Sequence, residues 1–228
     1  MQDTFLFQRE NAAELFIVRH GDAIPEADEI IPSGVYDNLP LSKIGRQRAG
    51  DLAERLSAIH FDAIYSSPLL RCQQTAAPLA ERLNLTPIIV DDIKEIKLGN
   101  LRPLPEDKTD LAALYQALHE RQRDIVRLAG ESGHWDTIPG SEPSKAFRQR
   151  VVAAFDEIAN RHIGQRVVAF AHGGVVNAYA AETLDLERDF FFPAANTSIT
   201  VIRVTGKQRV LYILNDIGHM RRTLMMRG

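Results

Sequence analysis

The chain of 228 residues carries a single cysteine, Cys72. One thiol cannot close an intrachain disulfide or build a thiolate zinc site, so a stapled secreted scaffold is excluded and a reducing, cytoplasmic setting is expected. Charge of one sign is equally scarce, with 27 Lys+Arg against 30 Asp+Glu and a formal net charge of −3. No basic run is long enough to read as a nucleic-acid or anionic-lipid patch, and the densest, Met220-Arg221-Arg222, is the kind of tail charge that water solvates. No stretch approaches the roughly 18 consecutive apolar residues of a membrane helix. The short apolar piece Phe5-Leu6-Phe7 is broken at once by Gln8-Arg9-Glu10, unlike a secretory leader. Internal repeats and low-complexity tracts are also missing.

What remains is an ordinary soluble composition, 45% hydrophobic and 25% charged. A chain of this length buries roughly 70% or more of its unfolded surface, so a full core needs neither disulfides nor a structural metal. One domain is the default expectation.

Short apolar runs alternate with longer amphipathic segments, the rhythm of an α/β domain. Leu15-Phe16-Ile17-Val18 reads as a first strand, followed by a helix over residues 42–59 with Ser42 as its cap. A strand over 61–65, a helix over 68–83 with Pro68 in its first turn, and a strand over 86–90 come next. Between residues 97 and 139 the rhythm breaks into a Pro/Gly-punctuated stretch around one helix, about 110–128, read as an insertion over one end of the sheet. A helix over 143–161, a strand over 166–171, a helix from Gly173 through Leu184, and two alternating β runs, 197–204 and 209–214, complete the chain.

Ligands of βαβ proteins bind beyond the carboxyl ends of the strands. Four turns therefore claim attention: Arg19-His20-Gly21-Asp22, Ser66-Ser67-Pro68-Leu69-Leu70-Arg71, residues 91–95 ending in Glu95, and His172-Gly173-Gly174. If the strands are parallel, two Arg, two His and one Glu converge on one edge. Taken alone, each of these residues is as readily a satisfied turn or a solvated charge; their joint placement after four strands is what points to a site. Guanidinium forks match phosphate oxygens, and glycine turns at helix N-termini admit backbone N–H donors. A central histidine can take the phosphoryl group on one ring nitrogen while the other is held, and a carboxylic acid can protonate the leaving oxygen. Such two-step transfer requires no metal or cofactor.

The run Leu15-Phe16-Ile17-Val18-Arg19-His20-Gly21-Asp22 resembles the signature of the histidine phosphatase superfamily, also called the phosphoglycerate mutase-like family. The elements Leu41-Ser42-x-x-Gly45-x-x-Arg48-Ala49, Tyr65-Ser66-Ser67-Pro68-x-x-Arg71-x-x-Gln74-Thr75-Ala76, Glu95-x-x-x-Gly99, Ala171-His172-Gly173-Gly174, Asn196-Thr197-Ser198-Ile199 and Leu214-Asn215-Asp216-x-x-His219 follow in the family's order. The resemblance implies His20 as the phosphorylated nucleophile and Glu95 as general acid, later base. It likewise implies Arg19, Arg71, His172 and the Gly173 N–H as holders of the phosphoryl oxygens. The implied fold is a three-layer α/β/α sandwich with a mostly parallel sheet, a single domain over 1–228 with a helical cap inserted at about 97–140. The implied activity is metal-independent, acid-type phosphomonoester hydrolysis of a small phosphorylated substrate.

Several positions depart from the family pattern. Phosphoglycerate mutases and many related phosphatases carry Thr or Ser where this chain has Ala23 and Asn where it has Glu26, which disfavours a mutase. The usual Trp-Glu-Gly after the Glu-x-x-x-Gly element is Leu101-Arg102-Pro103, and Arg-His-Gly-Asp-Ala is similar to the start of the smaller, nearly capless phosphohistidine phosphatases. A mutase and a non-catalytic phospho-ligand binder are the alternatives. Within the insertion, Trp135 beside His134 reads first as an anchor of the cap and second as a platform for a substrate base or sugar. Lys97, Arg102 and Lys108 are solvated charges or a second anion subsite. Phe190-Phe191-Phe192 reads as core, with a homodimer contact as the alternative. Cys72 is expected simply to pack in its helix.

Overall fold

The structure, a computed structural model, describes residues 9–25, 38–99, 101, 104–105, 110–206 and 208–220. Phe5-Leu6-Phe7, Glu26, Arg102, Pro103, Lys108, Arg221 and Arg222, all named above, lie outside the described residues.

Six strands form one sheet in the order β3-β2-β4-β1-β5-β6. They are β1 (Ala13–Arg19), β2 (Ala63–Ser66), β3 (Ile88–Ile89), β4 (Arg166–Ala171), β5 (Ile199–Thr205) and β6 (Gln208–Asp216). The first four are mutually parallel, with β1 and β4 in register at Val18↔Phe170 and Arg19↔Ala171, and β5 and β6 are added antiparallel at the β1 side. The four expected turns therefore do open on one edge.

Five α-helices, α1 (Lys43–Leu56), α2 (Leu70–Leu83), α3 (Leu111–Ser132), α4 (Ser144–Arg161) and α5 (Gly173–Thr183), and three single 3₁₀ turns, Arg9–Asn11, Asp91–Ile93 and Gly218–Met220, account for the remaining regular structure among the described residues. Strand residues alternate between two cores, as period-2 side-chain geometry requires of a sheet buried on both faces. Leu15, Ile17, Val167, Ala169 and Ala171 pack with Phe147, Val151, Phe155 and Tyr179 of α4 and α5. On the other face Val18, Val168 and Phe170 pack with Leu52 and Leu56 of α1 and Cys72 and Leu79 of α2. The molecule is thus a three-layer α/β/α sandwich around a mostly parallel sheet.

Local signals set the helix starts. Ser42 Oγ accepts from the Gly45 N–H at 3.1 Å to cap α1, and Asp110 Oδ1 accepts from Ala113 N–H at 3.0 Å to cap α3. Glycine in the left-handed conformation, Gly133 at φ 81°, ends α3. Two expectations need correcting. Pro68 does not open α2: the helix starts at Leu70, because the Ser67 N–H still pairs with the Phe170 carbonyl at 2.9 Å and keeps the chain extended past the proline. The third strand contracts to Ile88–Ile89, an edge pair 47% and 48% exposed, held only by β2. No helix among the described residues is long and apolar enough to cross a membrane.

Candidate active site

The chain leaves β1 at Arg19, and the next residue extends the ladder by one rung, His20 N–H donating to the Ala171 carbonyl at 3.0 Å. The His20 carbonyl accepts from Asn196 Nδ2 at 3.0 Å, and the Gly21 N–H donates to Thr75 Oγ1 at 2.9 Å. Glycine is required in this turn by close approach. A Cβ on Gly21 would lie 2.9 Å from the Gly45 carbonyl oxygen, and one on Gly45 would lie 2.1 Å from that of Asp22. The first turn of α1 thus abuts the His20 loop, and Arg48 of α1 pins it through Asp22 at 2.5 Å.

The ring of His20 is oriented unambiguously. Nδ1 lies 2.6 Å from the Gly21 carbonyl, which can only accept, so Nδ1 carries the proton and Nε2 bears the lone pair. Arg71 Nε donates to that Nε2 at 3.2 Å. Arg71 also places Nη2 3.3 Å from His172 Nδ1, while His172 Nε2 lies 2.8 Å from Ser67 Oγ. The two imidazoles are 5.2 Å apart. Arg19 donates through Nη1 to the Ala194 carbonyl, but its Nε is buried with no partner among the described residues. Gly173 opens α5 beside it, where the first helical N–H groups lack intrahelical acceptors; a Cβ there would lie 3.4 Å from Arg19 Nε. Guanidinium forks, an orphaned N–H and a helix start around one point make an anion cradle.

Burial and the nearby guanidiniums set the protonation states. Burial, then Arg71 and Arg19, hold the His20 pKa well below the ordinary imidazole value, and burial, then Arg71 and His20, do the same to His172. Both rings are neutral near neutrality, which leaves Nε2 of His20 nucleophilic. Glu95 accepts from the Gly174 N–H at 3.2 Å and the Ile96 N–H at 3.1 Å, yet burial outweighs these bonds and pushes its carboxyl above the usual range. It is suited to carry a proton.

These groups share a cavity of about 610 Å³ whose wall includes Arg19, His20, Arg71, Glu95 and Gly173. His172 is not part of that wall; it is fully buried behind Arg71. Tyr115, His119, Gln122, Ile125 and Val126 of α3 form the far side. Trp135 is 3% exposed and edge-on to Phe190 at 5.3 Å, so the anchoring role dominates, although its ring reaches the cavity and its buried Nε1–H has no acceptor among the described residues. His134 serves elsewhere: its Nδ1 meets Asp189 Oδ2 at 2.8 Å while Arg148 Nε holds Oδ1 at 2.7 Å, fastening the end of α3 to the segment before Phe190. Phe190 is buried and Phe192 packs against the core. Lys97 is exposed and off the cavity wall.

Sequence reasoning gave no role to Ser67, Thr75 or Asn196, which hold the site's backbone and side chains from distant positions, and it read the Gly174 N–H as a ligand donor where it holds Glu95. Their appearance in the ordered motif set was the only available signal. Cys72 does more than pack in α2. Its Sγ lies 3.4 Å from His172 Nε2 and donates to the Ala171 carbonyl at 3.3 Å, while burial pushes the thiol up to about 12 and keeps it protonated.

Comparison with known proteins agrees with this geometry. The model of the histidine phosphatase superfamily (branch 1) matches residues 15–217. Phosphoserine phosphatase 1 of Hydrogenobacter thermophilus is 32% identical over 212 residues, 91% of this chain and 94% of that protein. A metal-independent phosphoserine phosphatase of Arabidopsis thaliana is 27% identical over 91% of this chain and 83% of its own length. Among solved structures, Bacillus stearothermophilus YhfR superposes with a TM-score of 0.70 at 26% identity, covering 92% of this chain and 100% of that one.

Proposed function

This chain belongs to the histidine phosphatase superfamily, and within it we propose a metal-independent phosphatase that hydrolyses phosphomonoesters through a phosphohistidine on His20. The observation that carries the reading is the His20 ring, oriented by the Gly21 carbonyl at 2.6 Å so that Nε2 presents its lone pair toward Arg71, in one cavity with a carboxyl whose pKa burial raises. Nε2 attacks phosphorus as the P–O ester bond breaks, and Glu95 gives its proton to the departing oxygen. Arg19, Arg71 and the Gly173 N–H take the phosphoryl oxygens, and His172 joins them once the ligand draws Arg71 away from its Nδ1. In that state His172 takes up a proton at Nδ1 and donates it to a phosphoryl oxygen, while its Nε2–H keeps its bond to Ser67 Oγ. Glu95, now a carboxylate, takes a proton from water as the water oxygen displaces His20 from phosphorus, releasing inorganic phosphate and restoring the lone pair. Guanidinium charge does the work that a metal ion does in other phosphoryl-transfer sites.

We read the segment 97–140, with α3, as a cap on a single domain. Release of phosphate is preferred to its return to a second hydroxyl because Ala23, in the cavity wall, departs from the Thr or Ser that phosphoglycerate mutases, like many related phosphatases, carry there. Phosphate monoesters hydrolyse so slowly unaided that even a modest site stands far above background. His20→Ala is expected to lower p-nitrophenyl phosphate hydrolysis by at least about 10³-fold. Quenching the wild-type enzyme in alkali should trap an acid-labile phosphoenzyme, and EDTA should leave the rate unchanged. Wild-type rates in His20→Ala, or loss of activity in EDTA, overturn the proposal; isomer formation from a phosphoglycerate without phosphate release would make the protein a mutase.

A further inference from the structure

The cavity is larger and more apolar than a phosphoryl group with a small polar remainder demands. At about 610 Å³ it falls in the range of sites that bury drug-sized ligands, roughly 300–1,000 Å³. The phosphoryl cradle of Arg19, His20, Arg71 and Gly173 occupies only one end. Beyond it the wall is built by Leu98, Ile125, Val126, Trp135, Phe190 and Pro193. The polar side chains on the far side, Tyr115, His119 and Gln122, come from α3 alone, and the first two are engaged with each other, ring centroids 4.3 Å apart.

Charge decides against one class of occupant. Among the described residues of the wall, Arg19 and Arg71 are the only Lys or Arg side chains, both claimed by the phosphoryl group, and Asp22 and Glu95 are already acidic. Residues 21–42, the stretch leading from the nucleophile to α1, contain neither Lys nor Arg. Against the described residues of this wall a substrate carboxylate would be desolvated with no Lys or Arg beyond those two to meet it, which is strongly unfavourable. An apolar group gains instead, each buried methylene being worth roughly fourfold in affinity.

We propose that the distal wall formed by α3, Trp135 and Phe190 selects phosphate esters of bulky, uncharged, largely apolar alcohols over small carboxylate-bearing esters. The inference rests on the phosphomonoesterase reading and narrows its substrate class. It assigns Ile125, Val126 and Phe190 as specificity-determining contacts for the leaving group, distant from the bond that breaks.

Three alkyl phosphates test it, chosen because their alcohols leave with similar difficulty: 2-phenylethyl phosphate, glycerol 3-phosphate as a small uncharged comparator, and phosphoserine as a small carboxylate-bearing one. Phosphate release at limiting substrate is expected to give kcat/KM at least about tenfold higher for 2-phenylethyl phosphate than for either of the others. Val126→Asp places a charge on the wall at a position 37% exposed, where folding is little affected, and should lower the ratio of phenylethyl to glycerol phosphate by about tenfold. Phosphoserine equal to or ahead of 2-phenylethyl phosphate, or an unchanged ratio in Val126→Asp, overturns the substrate class while leaving the phosphatase intact. Phosphate release from none of the three overturns both.

Discussion

Replacing Gly174 by alanine separates the acid step from the rest of the reaction. Gly174 is the second residue of α5, and its N–H donates to Glu95 Oε2 at 3.2 Å. A methyl group built on it would lie 2.4 Å from Glu95 Oε1 and 3.2 Å from Cζ2 of Trp135. The indole is locked edge-on against Phe190, so the carboxyl must retreat, by about 1 Å to reach ordinary contact near 3.4 Å. A 1 Å misplacement costs on the order of 10²-fold, within the 10²–10⁴-fold that a positioned general acid is worth. The loss falls only on substrates whose leaving oxygen needs that proton. Gly174→Ala is therefore expected to lower kcat/KM for 2-phenylethyl phosphate about 10²-fold and for p-nitrophenyl phosphate, whose phenolate departs unprotonated, by less than about tenfold. Because kcat/KM ends at the first irreversible transfer, later attack by water does not blur the comparison. Overpacking of about 1–3 kcal/mol would lower the melting midpoint by no more than about 10 °C, leaving the variant folded in the assay. Equal losses on both esters, or none on either, would refute the placement of Glu95 as the acid.

The pH profile follows from the same two groups. Hydrolysis needs His20 neutral and Glu95 protonated, so kcat/KM rises as pH climbs through the depressed His20 value and falls as it climbs through the raised Glu95 value. Glu95→Gln should remove the alkaline limb relative to wild type on the same ester, whose own second ionisation near pH 6 is common to both; an unaltered limb counts against the assignment. Away from the site, Glu14 is buried between Arg166 and Arg203, with Arg203 at 2.8 Å. Burial pushes its carboxyl up, but the two guanidiniums prevail and the net shift is downward. A folded pKa below the unfolded one stabilises above the unfolded value and loses that contribution as pH falls through the folded one. Glu14→Gln should cost about 1–3 kcal/mol in urea unfolding at pH 7, with the difference from wild type closing as pH falls through the lowered carboxyl value, and an unchanged midpoint at pH 7 would refute the pair's contribution.

Much of the fold was legible because burial on both faces of a parallel sheet writes itself as short apolar runs. Residues 166–171 and the start of α5 at Gly173 were read with their observed bounds, and the turns after four strands located His20, Arg71, Glu95 and Gly173. The strand over 86–90 was overread because Ile88 and Ile89 look like core in the sequence, yet they sit at an edge with solvent beside them. Tertiary dependence was illegible in principle. That Thr75 holds Gly21, that Asn196 holds His20, and that Gly174 must lack a side chain to admit Glu95 and Trp135 are contacts across long separations, and local periodicity carries no record of them.

The charge balance acquires its meaning from this placement. A net charge of −3 conceals a pocket end where Arg19 and Arg71 stand beside two imidazoles. Burial first, and then the repulsion of the guanidiniums, falls on the groups that can shed protons, so positive charge stays on the arginines and both histidines are neutral. The division of labour follows. His20, held by Gly21 through Nδ1, keeps a lone pair for phosphorus, whereas His172 regains proton affinity once a phosphate dianion enters and offsets the guanidiniums. The same arginines that join burial in keeping the nucleophile unprotonated thus neutralise its substrate, and attack by a neutral ring on a guanidinium-bound phosphoryl group is what their position favours.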